Sequence, residues 1–335
     1  MSNNDIQIGR RGQNTKKPKG LAKIWQEIKK PFKHGWRSLY YQIVYCMYAL
    51  FLPEGVSKDY WFLKGTYWQH FNRDLSFKNP QTYTEKLQWL KLYDRNPSHT
   101  LKADKYAVRE FIKNTIGEEH LVKLYGVYEH AEDIDFDVLP DQFVLKANHG
   151  SSWNIICPDK NLLDRKKTIE TLNKWLKKTY GRNKREWIYT NIPHRIVCEE
   201  FLEANTEWGL LDYKIFCFNG KPEFVQVDFD RFGEHKRNFY DPQWKRLPLA
   251  MTYSNHAKDA PPPPCLDEML RLASLLAKNI FHVRVDFYHH HERIIFGEMT
   301  FYPEGGHQKF DPAEIDYQWG KLLKLPFELD KQCGN

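Results

Sequence analysis

An alternating pattern of charged and apolar residues near the C-terminus constrains the fold of this 335-residue chain more than any other feature. The segment 283–300 reads Val-Arg-Val-Asp-Phe, then a polar turn, then Ile-Ile-Phe-Gly-Glu-Met-Thr. It predicts a β-hairpin in which Arg284 and Asp286 share one face of the first strand, and Glu298 and Thr300 one face of the second. Carboxylate oxygens suit Mg²⁺, and arginine suits phosphate. The hairpin therefore indicates a nucleotide-triphosphate site, although a half-buried hairpin with an ordinary structural ion pair would have the same sequence pattern.

Composition limits the class of protein. The chain is 41% hydrophobic and 15% aromatic, which supports a packed fold of two or three subdomains. A charged content of 28% and a mean hydropathy of −0.70 argue against a polytopic membrane protein. Residues 1–37 contain ten Lys and Arg against two acids, a net charge of +8, whereas the whole chain carries +7. The rest is therefore at −1, which gives nucleic-acid binding no electrostatic support.

Cysteine usage and the N-terminus bear on location. The six cysteines show no paired spacing, which favours a reducing, cytoplasmic compartment. No small-residue cleavage pattern follows the first apolar stretch, so a signal peptide is not predicted.

The aromatic stretch Trp36–Leu52 has near-helical spacing and follows the basic arm. It is short, rich in Tyr and stopped by Pro53, so it is marginal for crossing a bilayer of about 30 Å. Aromatic residues beside a polybasic flank favour the inner membrane interface, with an anionic membrane surface as partner for residues 1–52. The alternative is an aromatic helix packed on the body and preceded by a solvated tail.

Local patterns predict a mixture of helices and strands, hence an α+β architecture. The sequence from Thr82 to Glu85 forms a capping box that begins a helix. Asn219-Gly220, between two alternating apolar runs, predicts a hairpin over 212–228. The other predicted elements are a helix near Asp104, strands over 142–147 and 195–202, a helix over 164–180, and a helix over 266–277 after four prolines at 261–264.

Two lysines lie where chemistry is plausible. Lys146 ends an apolar strand and is followed by a small-residue turn over 149–154. Backbone amides and Ser hydroxyls of such a turn can surround a triphosphate while the ammonium binds it as a point charge, although an edge-strand lysine before an ordinary loop would look the same. Lys214 lies in an apolar strand, where burial is costly unless the charge meets an anion.

Four longer motifs, in the order in which they stand in the chain, resemble those of the TupA-like ATP-grasp family of teichuronopeptide and surface-polysaccharide biosynthesis. They are Phe-Val-Leu-Lys-Ala-Asn-His-Gly-Ser, Asp-Tyr-Lys-Ile-Phe-Cys-Phe-Asn-Gly-Lys-Pro, His-Lys-Arg-Asn-Phe-Tyr-Asp and Phe-Gly-Glu-Met-Thr-Phe-Tyr-Pro. The resemblance runs from about Asn79 to Pro326, and the first 75 residues lie outside it.

The resemblance implies an ATP-grasp fold, in which two α+β lobes hold the nucleotide between antiparallel sheets behind the basic and aromatic N-terminal segment. It implies ATP and Mg²⁺ as cofactors. The residues expected at the nucleotide are Lys105, Lys146, His149, Gly150, Ser151, Ser152, Glu199, Glu200, Phe201, Leu202 and Lys214. Arg284 and Lys214 are the expected catalytic cations, and Asp286, Glu298 and Thr300 the expected metal ligands. Family members commonly have Asn where Thr300 stands, which leaves the second metal's coordination open.

The implied reaction is ATP-dependent ligation of a carboxylate to an amine through an acylphosphate. The family's link to surface polysaccharides implies a uronic-acid saccharide and an amino acid or other amine as substrates. Asp228, Arg231, His235 and Lys236 are candidates for holding the acidic substrate, although a solvated charged loop would give the same pattern.

The same interpretation divides the chain into five segments. They are a basic disordered arm (1–37), an aromatic interfacial segment (38–75), a helical segment (76–125), a small lobe (126–200) and a large lobe with the magnesium site (201–335).

Two other functions compete with this prediction. Asp228 and Asp230 form an Asp-x-Asp of the kind that binds Mn²⁺ and a nucleotide sugar in glycosyltransferases, but without the βαβ spacing usual there. A non-catalytic membrane module would leave the lysines and carboxylates of the body unexplained. Three consecutive histidines, 289–291, lack acid or Cys partners at zinc-ligand spacing and are predicted to be an exposed hairpin turn that runs from His289 to Arg293.

Overall fold

The computed structural model describes residues 43–44, 47–48, 51–203, 209–229 and 235–329. The helices are Val56–Phe71 (α1), Tyr83–Tyr93 (α2), Ser98–Ala103 (α3), Val108–Thr115 (α4), Arg165–Leu176 (α5), Leu266–Leu276 (α6), Glu314–Leu322 (α7) and Pro326–Leu329 (α8). The strands are Leu124–Tyr128 (β1), Phe143–Ala147 (β2), Asn154–Cys157 (β3), Ile196–Glu200 (β4), Asp212–Phe218 (β5), Lys221–Phe229 (β6), Lys236–Tyr240 (β7), Ala250–Met251 (β8), His282–His290 (β9), Arg293–Thr300 (β10) and Phe310–Asp311 (β11). The α+β prediction is confirmed.

Two antiparallel sheets carry most of the strands. The small sheet has the strand order β1-β4-β2-β3, and the large sheet has the order β10-β9-β5-β6-β7. The small sheet packs against α5 around a hydrophobic core of its own, which includes Phe143 and Leu172. The large sheet forms a separate core with α2, α6 and α7, in which Trp319 and Phe216 are buried. Each sheet therefore belongs to a lobe with its own apolar interior.

Both predicted hairpins form. Asn219 and Gly220 have φ of 50° and 84°, as a two-residue turn of mirror-image type requires, and they join β5 to β6. The β9–β10 turn is shorter than the sequence suggested. Only His291 and Glu292 form it, and both have a left-handed φ, of 46° and 61°. A two-residue turn of this conformation matches the twist of the two strands that it joins. His289 and His290 are strand residues, so the prediction of an exposed turn beginning at His289 is wrong.

Thr82 caps α2 with the predicted capping box. Other helix and strand ends differ from the predictions. The helix predicted over 164–180 ends at Leu176, where a tightened last turn is followed by Gly181 at φ 79°. The strand predicted over 195–202 ends at Glu200. The helix expected near Asp104 is two helices, with Asp104 as the C-terminal cap of the first.

Of the N-terminal segments, the basic arm lies outside the described residues. In the aromatic stretch, Ile43 and Met47 are helical. The exposed fraction is 45% for Ile43, 54% for Met47 and 79% for Phe51. The ring of Tyr48 stacks on Trp61 at a centroid distance of 4.5 Å. No helix among the described residues has the length and apolar character needed to cross a membrane. The proposed segment boundaries stay a prediction.

Helix α1 is held to the body by a buried polar network around Asp316. The Asp316 carboxylate accepts hydrogen bonds from the Thr84 backbone N–H at 2.9 Å and from the Thr84 hydroxyl at 2.8 Å. Arg73, just beyond α1, donates to the same carboxylate at 2.6 Å and to the Tyr67 hydroxyl at 2.7 Å. One acidic side chain of α7 thus joins α1 and α2.

Replacing Asp316 by Ala is expected to lower the free energy of unfolding by about 2–3 kcal/mol, because the buried donors of Thr84 and the partly buried guanidinium of Arg73 lose their acceptor. Urea unfolding followed by circular dichroism measures the change. Glu314→Ala, an exposed acid in the first turn of the same helix, is the matched control and should change stability by less than about 0.5 kcal/mol. Equal effects of the two changes would contradict the role of the network.

Candidate active site

A cleft of about 1130 Å³ lies between the two sheets. Most residues singled out from the sequence line it. They are Lys105, Lys146, Gly150, Ser151, Ser152, Glu199, Glu200, Phe201, Leu202, Lys214, Asp228, His235, Arg284, Asp286, Glu298 and Thr300. The cleft thus brings together side chains from six strands and four loops that are far apart in the chain.

A row of three charged residues crosses the floor of the cleft. Strand pairing places Lys214 of β5 opposite Asp286 of β9, and Asp286 opposite Glu298 of β10. Paired residues of antiparallel strands project from the same face. The ammonium of Lys214 donates to Asp286 at 3.0 Å and also to Asp212, two residues before it. Lys214 is buried, and these two carboxylates are the anions that its burial requires.

A β-bulge at Gly297 decides which face Glu298 occupies. Phe296 pairs with Phe287, but Glu298 pairs with Asp286, so Gly297 is an extra residue in β10. Without the bulge, Glu298 would lie opposite Val285 and face the core. A Cβ on Gly297 would lie 3.0 Å from the Asp286 carbonyl oxygen, so the position is tight for any other residue.

Arg284 connects the acids of this hairpin. Its guanidinium makes a two-pronged contact with Asp286, at 2.7 and 2.6 Å, and also donates to Glu298 and Thr300 at 3.2 Å each. The Thr300 hydroxyl donates to Glu298 at 2.9 Å. Thr300 therefore orients the Glu298 carboxylate, and its own role as a metal ligand stays a prediction.

The two acids differ in their electrostatic setting. Burial raises the pKa of Glu298, but the charges of Lys105, Arg284 and Lys214 outweigh it, and the net pKa is well below the ordinary range. For Asp286, burial raises the pKa while Arg284 and Lys214 counteract it. Glu298 keeps 32% of its side chain exposed, so it is accessible from the cleft.

The small sheet presents its own charge cluster from the opposite wall. Lys146 of β2 donates to the Glu199 carboxylate of β4 at 2.7 Å. Arg109 of α4 donates to the other oxygen of Glu199 at 3.3 Å and to the Val122 carbonyl at 2.8 Å. Glu199 is buried, whereas the Lys146 side chain is 30% exposed. The Lys146 ammonium is therefore within reach of an anion in the cleft.

The small-residue turn and Lys105 complete the anion-binding wall. Lys105 donates to the Gly150 carbonyl at 2.8 Å and lies 3.5 Å from Glu298, so it connects the turn to the large sheet. Ser152 has a left-handed φ of 59°, and a Cβ on Gly150 would collide with the Trp153 ring at 2.3 Å. The turn is therefore sharply folded, and its seryl residues line the cleft.

His149 is placed differently from its neighbours in the turn. It is fully buried, stacks on His194 at a centroid distance of 3.8 Å and does not line the cleft. Burial lowers the pKa of His149 to about 4, with His194 adding to the effect, so the ring is neutral near pH 7. The structure thus places His149 behind the turn, where it supports the backbone.

A second buried cluster lies farther along the large sheet, around Asp228 of β6. Its carboxylate accepts from Arg237 at 2.7 Å and from Gln226 at 2.9 Å, and His235 lies 3.4 Å away. The Arg237 guanidinium lies over the Tyr253 ring at 4.8 Å. Burial alone would raise the pKa of Asp228, but His235 and Arg237 lower it well below the ordinary value.

Two other candidates for substrate binding are not brought into the cleft. Lys236 donates to the Ser254 hydroxyl at 3.2 Å and is absent from the cleft wall. Arg231 and Asp230 lie outside the described residues.

The residues present fit Mg²⁺ and a nucleotide triphosphate. Asp286 and Glu298 are adjacent hard-oxygen donors, and Mg²⁺ is usually held by one or two carboxylates together with phosphate oxygens. Cations from both walls face the same space, namely Lys105, Arg109, Lys146, Lys214 and Arg284. Within the described part of the chain, no group of three or more His, Cys, Asp or Glu is arranged as a metal site. Phosphate oxygens and water are the usual remaining ligands of Mg²⁺ held by one or two carboxylates.

Sequence reasoning missed several residues of the cleft. In the sequence, nothing distinguishes Arg109 from an ordinary helix residue. Its position in the cleft becomes visible only from its contact with Glu199. Lys184 and Glu186 belong to a loop without a recognisable motif. Glu304 lies in Pro-Glu-Gly-Gly, which begins three residues after the end of β10, and the two consecutive glycines are a signal of a tight turn at the cleft.

Comparison with known proteins gives one family match. A family model described as TupA-like ATPgrasp matches residues 85–324, more than two thirds of the chain. No curated protein matches it. D-alanine–D-alanine ligase from Bacillus anthracis is similar at 17% identity, with 70% of each chain covered and a TM-score of 0.42. The enzyme of that name from Helicobacter pylori is 15% identical over 72% of this chain and 69% of that chain, with a TM-score of 0.38. N5-carboxyaminoimidazole ribonucleotide synthetase, in an ADP complex, is 10% identical over 65% and 50%, with a TM-score of 0.38.

The charge of Asp228 predicts a pH-dependent stability. The pKa of Asp228 is lower in the folded chain than in the unfolded chain, where it is about 3.9. The ionised carboxylate therefore stabilises the fold fully at pH values above the unfolded pKa. This stabilisation is lost as the pH falls through the lower pKa of the folded chain. Asp228→Asn is therefore expected to be less stable than the wild type at pH 7, with a difference that shrinks below about pH 4.

Urea unfolding of both proteins between pH 7 and pH 3 tests this expectation. Asp133→Asn, at an exposed position, is the control and should follow the wild type at every pH. A difference between Asp228→Asn and wild type that stays constant with pH would contradict the assignment.

Proposed function

Because this chain belongs to the TupA-like ATP-grasp family, we propose that it joins a uronic-acid carboxylate to an amino acid or other amine in the assembly of a surface polysaccharide. The enzyme class itself follows from the family match. The chain is an ATP-grasp enzyme, an ATP-dependent ligase that uses ATP and Mg²⁺ and couples a carboxylate to an amine. The saccharide, the amine and the role in polysaccharide assembly are what we add.

One observation carries the assignment of roles. The row of Lys214, Asp286 and Glu298, joined by Arg284, faces Lys146 across the cleft. We assign Lys105 and Lys146 to the phosphates, together with the turn that contains Gly150. In this assignment, Phe201 and Leu202, where the chain leaves β4, pack against the base, and Glu199 and Glu200 help to position the nucleoside.

The cations of the large sheet suit the chemistry of the reaction. Lys214 and Arg284 are fixed by carboxylates before any ligand binds, so little reorganisation is needed when charge develops on a phosphoryl group. Mg²⁺, held by Asp286 and Glu298, supplies further neutralisation of that charge. The substrate carboxylate is activated as an acylphosphate, and the amine nitrogen then displaces phosphate and loses a proton.

The acidic substrate is assigned to the far end of the cleft. Arg237 and His235 are cationic or hydrogen-bonding groups at that end, and Arg237 is fixed there by Asp228. A uronic acid carries both a carboxylate and hydroxyl groups, which matches this combination. In the glycosyltransferase alternative, Asp228 would bind Mn²⁺ together with Asp230, which lies outside the described residues.

Membrane association is proposed from the N-terminal segments. Residues 1–37 carry a net charge of +8, and the exposed apolar side chains of Ile43, Met47 and Phe51 follow them at intervals of four. Basic residues near an anionic surface contribute about 1 kcal/mol each. We infer that this part of the chain holds the enzyme at the inner face of a membrane.

Lys146→Ala and Glu298→Gln are each expected to lower ATP turnover at least about 100-fold, since each removes a charge placed for phosphate or metal. The fold should survive the first change because Glu199 keeps Arg109 as a partner. ADP release is measured with a panel of uronic acids and amino acids. Lys166→Ala, an exposed lysine of α5, is the matched control and should keep full turnover.

Thermal unfolding with Mg-ATP separates binding from turnover. Saturation at 100 times Kd stabilises a protein by about 2.7 kcal/mol, and Lys146→Ala should lose most of this stabilisation. Full turnover in both variants would overturn the residue assignments. Stabilisation by Mn²⁺ with a nucleotide sugar, and none with Mg-ATP, would favour glycosyl transfer instead.

Removal of residues 1–37 is expected to weaken binding to vesicles of phosphatidylcholine and phosphatidylglycerol in equal amounts by at least about 10-fold, because electrostatic attraction is lost. Sedimentation with vesicles measures it, and binding of the full chain should fall with rising salt. Vesicles of phosphatidylcholine alone are the control. Unchanged binding after truncation would remove the membrane proposal and leave the ligase proposal intact.

A further inference from the structure

A second cavity, of about 450 Å³, adjoins the active-site cleft. Lys184 and Glu304 line both cavities, so the two spaces meet at these side chains. The far wall is part of α1, which contributes Phe62, Thr66 and His70. The second cavity therefore lies next to the cleft, and the side chains of Lys184 and Glu304 stand between the two spaces.

Helix α1 lies outside the segment 85–324 that matches the family model. It is nevertheless a fixed part of the body, because the Tyr67 hydroxyl lies 3.0 Å from the Thr84 hydroxyl and Arg73 is bound to Asp316. The wall that α1 provides is thus held in place by the body, although it lies outside the matched segment. Such a wall is suited to substrate selection, since the residues assigned above to phosphate and metal lie on the other side of the junction.

The lining suits a hydroxyl-bearing ring. His70 and His307 stack at a centroid distance of 4.2 Å, which gives one side of the cavity a flat surface. Burial and the nearby Lys91 charge lower the pKa of His307 to about 2, so its ring is neutral. Nε2 of His307 has no hydrogen-bond partner within the described residues. This nitrogen is buried, so hydrogen bonds to hydroxyl groups are assigned to the other polar residues that line the cavity, Thr66, Asn183 and Thr252.

The junction between the cavities is charged. Lys184 packs over Gly305, where an added Cβ would lie 2.8 Å from its side chain. The Lys184 charge acts on the buried carboxylate of Glu186, where it counteracts the rise in pKa that burial causes. Glu304 of the same junction lies 3.5 Å from Arg237, which belongs to the cluster assigned above to the acidic substrate. The substrate end of the cleft and the second cavity are therefore linked through one carboxylate.

We propose that the second cavity is a saccharide subsite, which holds the sugar unit next to the uronic acid whose carboxylate reacts in the cleft. The true substrate is then a glycosidically linked uronic acid and not the free monosaccharide. In this arrangement α1 determines specificity, and Lys184 and Glu304 contact the substrate at the linkage. This inference rests on the proposed function, because a uronic acid must occupy the cleft for its neighbour to reach the cavity.

The test compares a monosaccharide with a disaccharide. Binding of D-glucuronic acid and of cellobiouronic acid, in which glucuronic acid is linked to glucose, is measured by calorimetry on the full chain with Mg²⁺ and a non-hydrolysable ATP analogue. We expect the wild type to bind the disaccharide at least about 10-fold more tightly. Thr66→Trp, which fills the cavity, and His70→Ala, which removes its flat wall, should each reduce the disaccharide to the affinity of the monosaccharide.

Gln69→Ala is the matched control, since this exposed neighbour of His70 does not line the cavity and should keep the disaccharide preference. Binding of the ATP analogue should be unchanged in all variants. Equal affinities of the wild type for the two sugars, no sugar binding at all, or an unchanged preference in Thr66→Trp and His70→Ala would each overturn the subsite. Failure of the proposed function has a different signature, which is the absence of Mg-ATP binding or of ADP release with any uronic acid.

Discussion

Mutual neutralisation of buried charges is the constraint on which the active site depends. Lys214 lies between Asp212 and Asp286, and Arg284 binds Asp286 and Glu298, all on the face of one sheet that turns toward the cleft. Charges removed from water are tolerated only when they are paired. The side chains that would meet phosphate and metal are therefore the same ones that hold each other in place without them. Ligand binding at this floor is an exchange of partners between charges that are already oriented.

This arrangement requires a particular strand register. The row across β5, β9 and β10 forms because Lys214 pairs with Asp286, and because the bulge at Gly297 brings Glu298 opposite the same aspartate. A register without the bulge would put Glu298 on the apolar face. The opposite wall is built independently, since Lys146 and Arg109 share Glu199. The charges of each wall are thus paired mainly within that wall, and Lys105 joins the two sides through its contact with Glu298.

Local sequence signals predicted both central hairpins and several helices, while most of the cleft residues were named from the family resemblance. The Asn219-Gly220 turn and the Thr82 cap have local chemical causes, so both could be predicted without tertiary information. The bulge at Gly297 could not, because a single glycine in a strand leaves the register undecided. Arg109 and Lys184 reach the cleft only through the packing of distant segments, which no local pattern specifies. His149 shows the opposite error, since a residue in a phosphate-type turn is turned inward against His194.

The separation of the two hydrophobic cores has a consequence for internal motion. The small sheet and α5 share one apolar interior, and the large sheet shares another with α2, α6 and α7. Cooperative opening usually follows such packing units, so each lobe has its own free energy of local unfolding. Amide hydrogens of β2 and β4 then exchange with solvent at rates set by the small core, while those of β5 and β9 are protected until the large core opens. The cleft is the boundary between two units that can open separately.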